Sequence, residues 1–237
     1  MKIKLIVLII SFGVVFSIYQ FVFADAPSGI LLKDHSFSSE GSISSNSPLL
    51  QMIYLPEHSI SEADTAYMLH NLNRVHPVIL KRALQQNVKI KFFTGDLTDE
   101  QGLKHLAGLT PRGYAENSTW DSVPGMSDDE FVYVKIGHSK YGMGHGSVAL
   151  ELHEFAHAAD RNVFSNVRSN PLYLNIWKQE AHMLFPGKTY FEHFPEEYFA
   201  EIFAMYYLNE STKEKLREQA PLSYRFVANL YKSLENT

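Results

Sequence analysis

The spacing of apolar and polar positions changes several times along this chain, and each change predicts a different element. Leu5 to Ala24 is almost continuously apolar and follows the basic start Met1-Lys2-Ile3-Lys4. A basic start, an apolar run and small residues around Ala24 and Ala26 predict a signal peptide over residues 1–24. The run is also about long enough to cross a bilayer, so an uncleaved N-terminal anchor is the alternative. Residues 25–50 include Ser36, Ser38, Ser39, Ser42, Ser44, Ser45 and Ser47 and lack hydrophobic periodicity, which predicts a flexible spacer.

From Gln51 onward the pattern is that of a folded domain, taken here as 51–237. Met52-Ile53-Tyr54-Leu55 predicts a strand, and Ser61 ahead of Glu62-Ala63-Asp64 predicts a helix start. That helix should run to about Val75, with Pro77 restarting it as far as Gln86. Val88 to Phe93 alternates in its first half and reads as a strand, as does Phe131 to Ile136. Helical spacing follows around His153, over Leu172–Leu184, over Pro195–Leu208 and at the C-terminus. Strands early and helices late predict an α+β domain, a small twisted sheet beside a helical half. Gly142-Met143-Gly144-His145-Gly146 has no Lys-Ser/Thr after it, so it reads as a tight turn feeding the His153 helix rather than as a phosphate loop.

Composition narrows the chemistry. The chain has 21 basic and 26 acidic residues, a net charge of −5. Removing residues 1–24 takes away Lys2 and Lys4 alone, leaving 19 against 26 and a net charge of −7. That balance argues against nucleic acid or an anionic lipid surface as the main partner, and no membrane contact is expected unless the N-terminal segment is retained. There is no cysteine, so an exported protein of this kind relies on core packing and metal rather than disulfides. Histidines and carboxylates must carry the reaction.

They are concentrated at His153-Glu154-Phe155-Ala156-His157. Histidines four apart share a helical face, so two imidazoles can converge on one zinc ion while the adjacent Glu154 reaches the attacking water as a base. Flanking residues Val148 to Leu152 and Ala158-Ala159 are mostly apolar, and polar groups in a buried helix must be paired or bind metal. A catalytic zinc site takes a third protein ligand. Glu197 and Glu201 align on one otherwise apolar stripe of the Pro195 helix with Ala204 and Leu208. Glu197 is therefore the candidate ligand, and Glu201 the candidate acceptor for the free N–H of a ligand histidine. Glu196 lies roughly 100° away, exposed or facing substrate. Asp160, on the ligand face of its own helix, is a further candidate for hydrogen bonding to the site or a plain helix-end residue.

These motifs resemble a known family. The ordered set VKIKFFTGDLTDE, TWDSVPG, ELHEFAHAAD and PEEYFAEIFAMYYLN resembles the anthrax lethal factor protease domain and the small secreted Pro-Pro endopeptidases of clostridia and bacilli, over about residues 50–235. The resemblance implies a single zincin-type metalloprotease domain, one zinc ion per chain, a proline-rich peptide substrate and a monomer. It also implies that Tyr190 donates its hydroxyl to the oxyanion and that Trp120 lines the substrate groove. The chain departs from the family at Ser127-Asp128-Asp129-Glu130, where small residues are expected, and at Ser118, where a lysine is expected. Both lie where substrate would be read; an acidic segment bordering the groove would favour basic or uncharged flanking residues and disfavour acidic ones. The sequence thus points to a secreted zinc endopeptidase cutting between prolines, with the strand Phe131–Ile136, ahead of the zinc helix, expected to pair with extended substrate backbone. Its rivals are a lethal-factor-like toxin protease and a catalytically silent module that keeps zinc for structure, against which an intact Glu154 and Tyr190 argue.

Overall fold

The computed structural model describes residues 28–37, 43–112, 118–129 and 131–235; residues 1–24, expected to be a signal peptide, lie outside them. Five strands form one sheet in the order β1-β2-β3-β5-β4: β1 (Ile30–Leu31), β2 (Ile53–Leu55), β3 (Lys89–Phe93), β4 (Gly125–Ser127) and β5 (Phe131–Lys135). β2, β3 and β5 are parallel, while β1 and β4 run antiparallel to their neighbours. β3 lies between two parallel partners and is buried over Ile90 to Phe93, so its sequence reads as a nearly continuous apolar run after its first residues. Eight helices among the described residues complete the domain, and the α+β expectation holds.

Local signals place most boundaries. Ser61 caps α1 (Glu62–Asn73) by accepting the Asp64 N–H. Pro77 opens α2 (Pro77–Gln85), where its missing N–H costs nothing. α3 (Leu150–Asn162) carries the two histidines, and α4 (Pro171–Leu184) follows with Asn170 as its cap. The short α5 (Thr189–His193) leads into α6 (Pro195–Leu208), which is buried almost throughout. The expected single C-terminal helix is two, α7 (Glu210–Gln219) and α8 (Pro221–Asn229), because Pro221 cannot continue α7 and starts a new helix instead. Buried Glu180 of α4 accepts the Leu222 and Ser223 N–H groups at 2.9 and 2.8 Å and so caps that new start.

The spacer expectation for residues 25–50 is corrected over its described part. Ile30-Leu31 pairs with Tyr54-Leu55 as an edge strand, and Leu32, Phe37 and Leu49 are buried in the core. Gly29 makes this docking feasible: its φ is +105°, and a Cβ there would lie 2.3 Å from the Leu55 carbonyl oxygen. Lys91, buried in β3, donates to the Ser28 carbonyl at 2.6 Å and lies 4.0 Å from Glu100. A serine-rich composition hid these few anchoring residues.

α3 packs against the sheet on one side and α6 on the other, with Phe155 and Phe203 rings 6.2 Å apart between the helices. One buried polar cluster ties α3 to its surroundings. Glu151 Oε1 accepts Asn71 Nδ2 of α1 at 2.7 Å and Ser139 Oγ at 2.8 Å, while Oε2 has no partner. Burial raises the Glu151 pKa, so the neutral acid is favoured in the fold. A raised folded pKa means that stability is full below the unfolded value and falls as pH rises toward the folded one. Glu151→Gln should therefore fold as well as the parent at acid pH and resist denaturant better at neutral pH. Glu151→Ala should lose about 2–3 kcal/mol by leaving two buried donors unpaired. Urea melts of the three proteins at pH 5 and pH 8 check both expectations.

Candidate active site

α3 and α6 bring the expected groups together. His153 Nε2 and His157 Nε2 lie 3.3 and 3.5 Å from Glu197 Oε2, and the two imidazole rings are 4.9 Å apart at a steep angle. The three ligand atoms fall within 4.8 Å of one another. Two imidazole nitrogens and one carboxylate oxygen so close form a donor set suited to a divalent metal, and zinc accepts that mixture. Each of the three residues is nearly buried. Burial opposes the charge on Glu197, but hydrogen bonds from both imidazoles outweigh it and hold the carboxyl far below its ordinary range. His153 is also opposed by burial, and the carboxylates of Glu197 and Glu201 nonetheless push its pKa up.

Glu201, one turn beyond Glu197, uses both oxygens. Oε2 is 3.2 Å from His153 Nδ1, and Oε1 accepts the Val148 N–H at 3.0 Å. A carboxylate can only accept, so Nδ1 donates to Glu201, and Nε2, turned to Glu197, is the nitrogen that could give up its proton to hold a metal. The same carboxylate fixes the backbone where the chain enters α3. Asp160 is different: it is fully buried and binds Arg168, with its Oδ2 2.6 Å from Nε and its Oδ1 3.3 Å from the backbone N–H. Its hydrogen bonds secure the turn after α3 rather than a ligand histidine.

Glu154 faces the cleft beside the histidines, and its pKa is raised by burial against the lowering pull of His153 and His157. β4 passes close by at Gly125, where a Cβ would lie 2.8 Å from Leu150 Cδ1 and 3.1 Å from Glu154 Cγ. Only glycine allows that approach without displacing the Leu150 and Glu154 side chains. β4 is the edge strand of the sheet on this side. β5, the strand expected to pair with an extended peptide, has β3 on one edge and β4 on the other, so its ladder positions are taken, and among the described residues the open edge on this side belongs to β4.

The walls come from four other segments. Tyr190 of α5 lines the cleft, with α5 held by a 2.8 Å hydrogen bond from Trp177 Nε1 to the Phe191 carbonyl. Burial, and then the charge of Glu197, raise the Tyr190 pKa and keep its hydroxyl protonated. Trp120 sits half-buried in a short 3-10 turn, packed against the small cluster of Phe93, Leu97, Leu103, Val123 and Tyr133 and still open to the cleft. Asp121 fixes that turn through Thr98 at 2.6 Å and the Gly108 N–H at 2.9 Å, which lower its pKa to about 2. Glu196 lines the cleft and pairs with Arg112 at 3.0 Å. Arg112 also reaches Glu197 Oε1 at 3.5 Å and lies over the Phe194 ring at 4.2 Å. Sequence reasoning had no means of finding Arg112, a loop residue far from α6 in the chain. Of the acidic segment, Ser127 lines the cleft and binds Arg161 at 2.7 Å, while Arg161 also donates to the Asp128 carbonyl. Among the described residues, the wall here carries the guanidinium of Arg161 rather than Asp128 or Asp129.

Comparison with known proteins fits this architecture. The sequence profile described as anthrax toxin lethal factor, N- and C-terminal domain, matches residues 41–230. A Pro-Pro endopeptidase from Paenibacillus alvei is 36% identical over 196 residues, covering 82% of this chain and 90% of that protein. A Pro-Pro endopeptidase from Clostridioides difficile is 37% identical over 185 residues, covering 78% and 83%. The solved structure of the Paenibacillus alvei Pro-Pro endopeptidase superposes with a TM-score of 0.74 at 37% identity, over 78% of this chain and all of that one. Profile, relatives and fold agree, and the chain belongs to the anthrax toxin lethal factor family.

Proposed function

We propose that this protein is an exported zinc endopeptidase that hydrolyses Pro-Pro bonds in proline-rich peptides. The observation that carries the reading is the convergence of His153, His157 and Glu197 within 4.8 Å, with Glu154 beside them, in a cleft of about 1180 Å³. Relatives called Pro-Pro endopeptidases, similar over most of their length, support proline as the residue recognised. Export is supported by the basic start and apolar run of residues 1–24. N-terminal sequencing of protein recovered from the medium tests it, and a chain still starting at Met1 would refute cleavage. No described helix is long and apolar enough to cross a membrane.

His153, His157 and Glu197 would hold the zinc ion, which when bound supplies a Lewis acid that polarises the scissile carbonyl and acidifies water. Glu154 takes a proton from the attacking water on its carboxylate as the new C–O bond forms. Its raised pKa makes it a better acceptor than an exposed glutamate. The same carboxyl then gives that proton to the proline nitrogen as the C–N bond breaks, which returns Glu154 to its starting state. Tyr190 keeps its hydroxyl proton at neutral pH and donates a hydrogen bond to the oxyanion, a charge that exists only in the transition state. Glu201 holds the His153 Nδ1 proton and so the orientation of that ring. The outer edge of β4 is the backbone available to an extended peptide. A proline-rich peptide offers few N–H groups, so packing on Trp120 and other aromatic walls must supply much of its affinity.

Glu197→Ala should lose zinc on purification, because two imidazoles alone hold it weakly. Glu201→Ala should retain the metal with affinity lowered about 10- to 100-fold. Metal analysis with competitive chelator titration checks both; full occupancy in Glu197→Ala would place the third ligand elsewhere.

Glu154→Gln should keep metal and peptide binding while losing almost all turnover. Tyr190→Phe should lose on the order of 10²- to 10³-fold in kcat, the usual effect of removing one oxyanion donor. Wild-type kcat in Tyr190→Phe would make the hydroxyl structural.

Peptides with adjacent prolines at the scissile bond should be cut, and replacing either proline by alanine should lower kcat/KM strongly. Cleavage sites read by mass spectrometry from a peptide library provide the measurement. Efficient cutting of proline-free peptides would remove the Pro-Pro assignment and leave the zinc chemistry standing.

A further inference from the structure

The charges in the cleft wall are unevenly answered. Arg112, Arg161, Arg168, Lys188 and Lys215 all line it. Arg112 is paired with Glu196 and Glu197, and Arg168 with buried Asp160 at 2.6 Å. Arg161, Lys188 and Lys215 have no carboxylate in ion-pair contact among the described residues. Glu197 and Glu201 are engaged by the histidines, so the wall away from the ligands is left positive. That sign is opposite to the chain as a whole, whose net charge is −5.

Arg161 is the member of the unpaired set that the fold holds in place. It lies one turn beyond His157 on the face of α3 that carries His153, about 6 Å further along the helix. Its Nη2 donates to Ser127 Oγ at 2.7 Å and to the Asp128 carbonyl, both neutral acceptors. Its buried Nε has no hydrogen-bond partner. The Asp128 and Asp129 side chains are exposed, where water screens them. Burial, and then the nearby charge of Arg168, lower the Arg161 pKa despite the opposing pull of Asp129, Asp160 and Asp128. A half-buried guanidinium short of a counter-ion is a place where an incoming carboxylate gains more than it would in water.

Its place along a bound peptide follows from β4. Gly125 of that edge strand lies against Glu154, and Ser127, two residues on, binds Arg161. Strand residues advance about 3.4 Å each, so Arg161 meets the edge roughly 7 Å from the base. An extended peptide lying on β4 brings a residue two to three positions from the scissile bond to the guanidinium. We propose that Arg161 is a specificity-determining residue that selects an aspartate or glutamate at one such position, on one side of the Pro-Pro pair. This rests on the endopeptidase reading above and adds a charged feature to its substrate. It also reverses the flank preference expected from the acidic run after Ser127, because Asp128 gives Arg161 a carbonyl and gives the cleft wall no carboxylate.

The test uses peptides of one length with Pro-Pro fixed and a single flanking residue set to Glu, Gln or Lys, placed in turn along either side. In the parent enzyme kcat/KM at one position should rank Glu above Gln above Lys. Glu should lead Gln there by roughly 5- to 10-fold, the margin of a charge-assisted over a neutral hydrogen bond. That preference should disappear in Arg161→Gln and shrink in Arg161→Lys, which keeps the charge but loses the planar fork. Because the ratio is read within each protein, a general loss of activity does not enter it. Calorimetric binding of the Glu and Gln peptides to full-length Glu154→Gln, with and without Arg161→Gln, repeats the comparison without turnover. A parent with no position preferring Glu, or an equal preference in both Arg161 variants, would overturn the assignment. An Arg161-dependent preference in binding with no cut at a Pro-Pro bond would remove the proposed cleavage and leave the role of Arg161 standing.

Discussion

Everything at the site depends on the packing of α3 against α6, two helices that bury charged side chains between apolar faces. Polar groups there have no water to turn to, so each must be answered from the other helix. Glu201 does this twice, holding the His153 ring and the Val148 N–H, and thereby fixes the rotation of α3 where it enters the core. Glu197, one turn earlier on the same stripe, then meets both Nε2 atoms. A carboxylate placed between two buried imidazoles is unfavourable in an apolar interface unless it is strongly paired, and this arrangement supplies that pairing.

The sheet contributes position rather than chemistry. β4 is only three residues long, yet Gly125 brings its backbone against Leu150 and Glu154, which sets the width of the cleft at the base. The opposite wall comes from α5, tied down through Trp177, and from α6. Arg112 links the two acidic residues at the start of α6 with the Phe194 ring, so a loop residue becomes part of the wall. Buried Glu151 joins α1 and the Ser139 loop to α3 beneath this arrangement. The site is therefore held from every side by contacts between residues distant in sequence.

Much of this was legible in the chain because local rules decide it. Histidine spacing of four gives one helical face whatever surrounds it, and the Glu197–Glu201 stripe follows from the same period. Caps and prolines set the starts of α1, α2, α4 and α6 to within a residue or two of their expected positions. Sequence alone therefore determined the α+β class, the elements bearing the donor groups and the identity of those groups. Tertiary structure decided which groups meet. Asp160 sits on the expected face but is claimed by Arg168, because the chain folds back after α3 to bring that guanidinium within 2.6 Å. Ile30-Leu31 becomes a strand only because β2 offers an open edge and Gly29 can adopt a positive φ. β5 is closed on both edges, against expectation, and β4 takes the edge, because edge position is a property of the whole sheet. Periodicity and capping act over a few residues, whereas sheet order and ion pairing across the core depend on long-range closure, which no local pattern encodes.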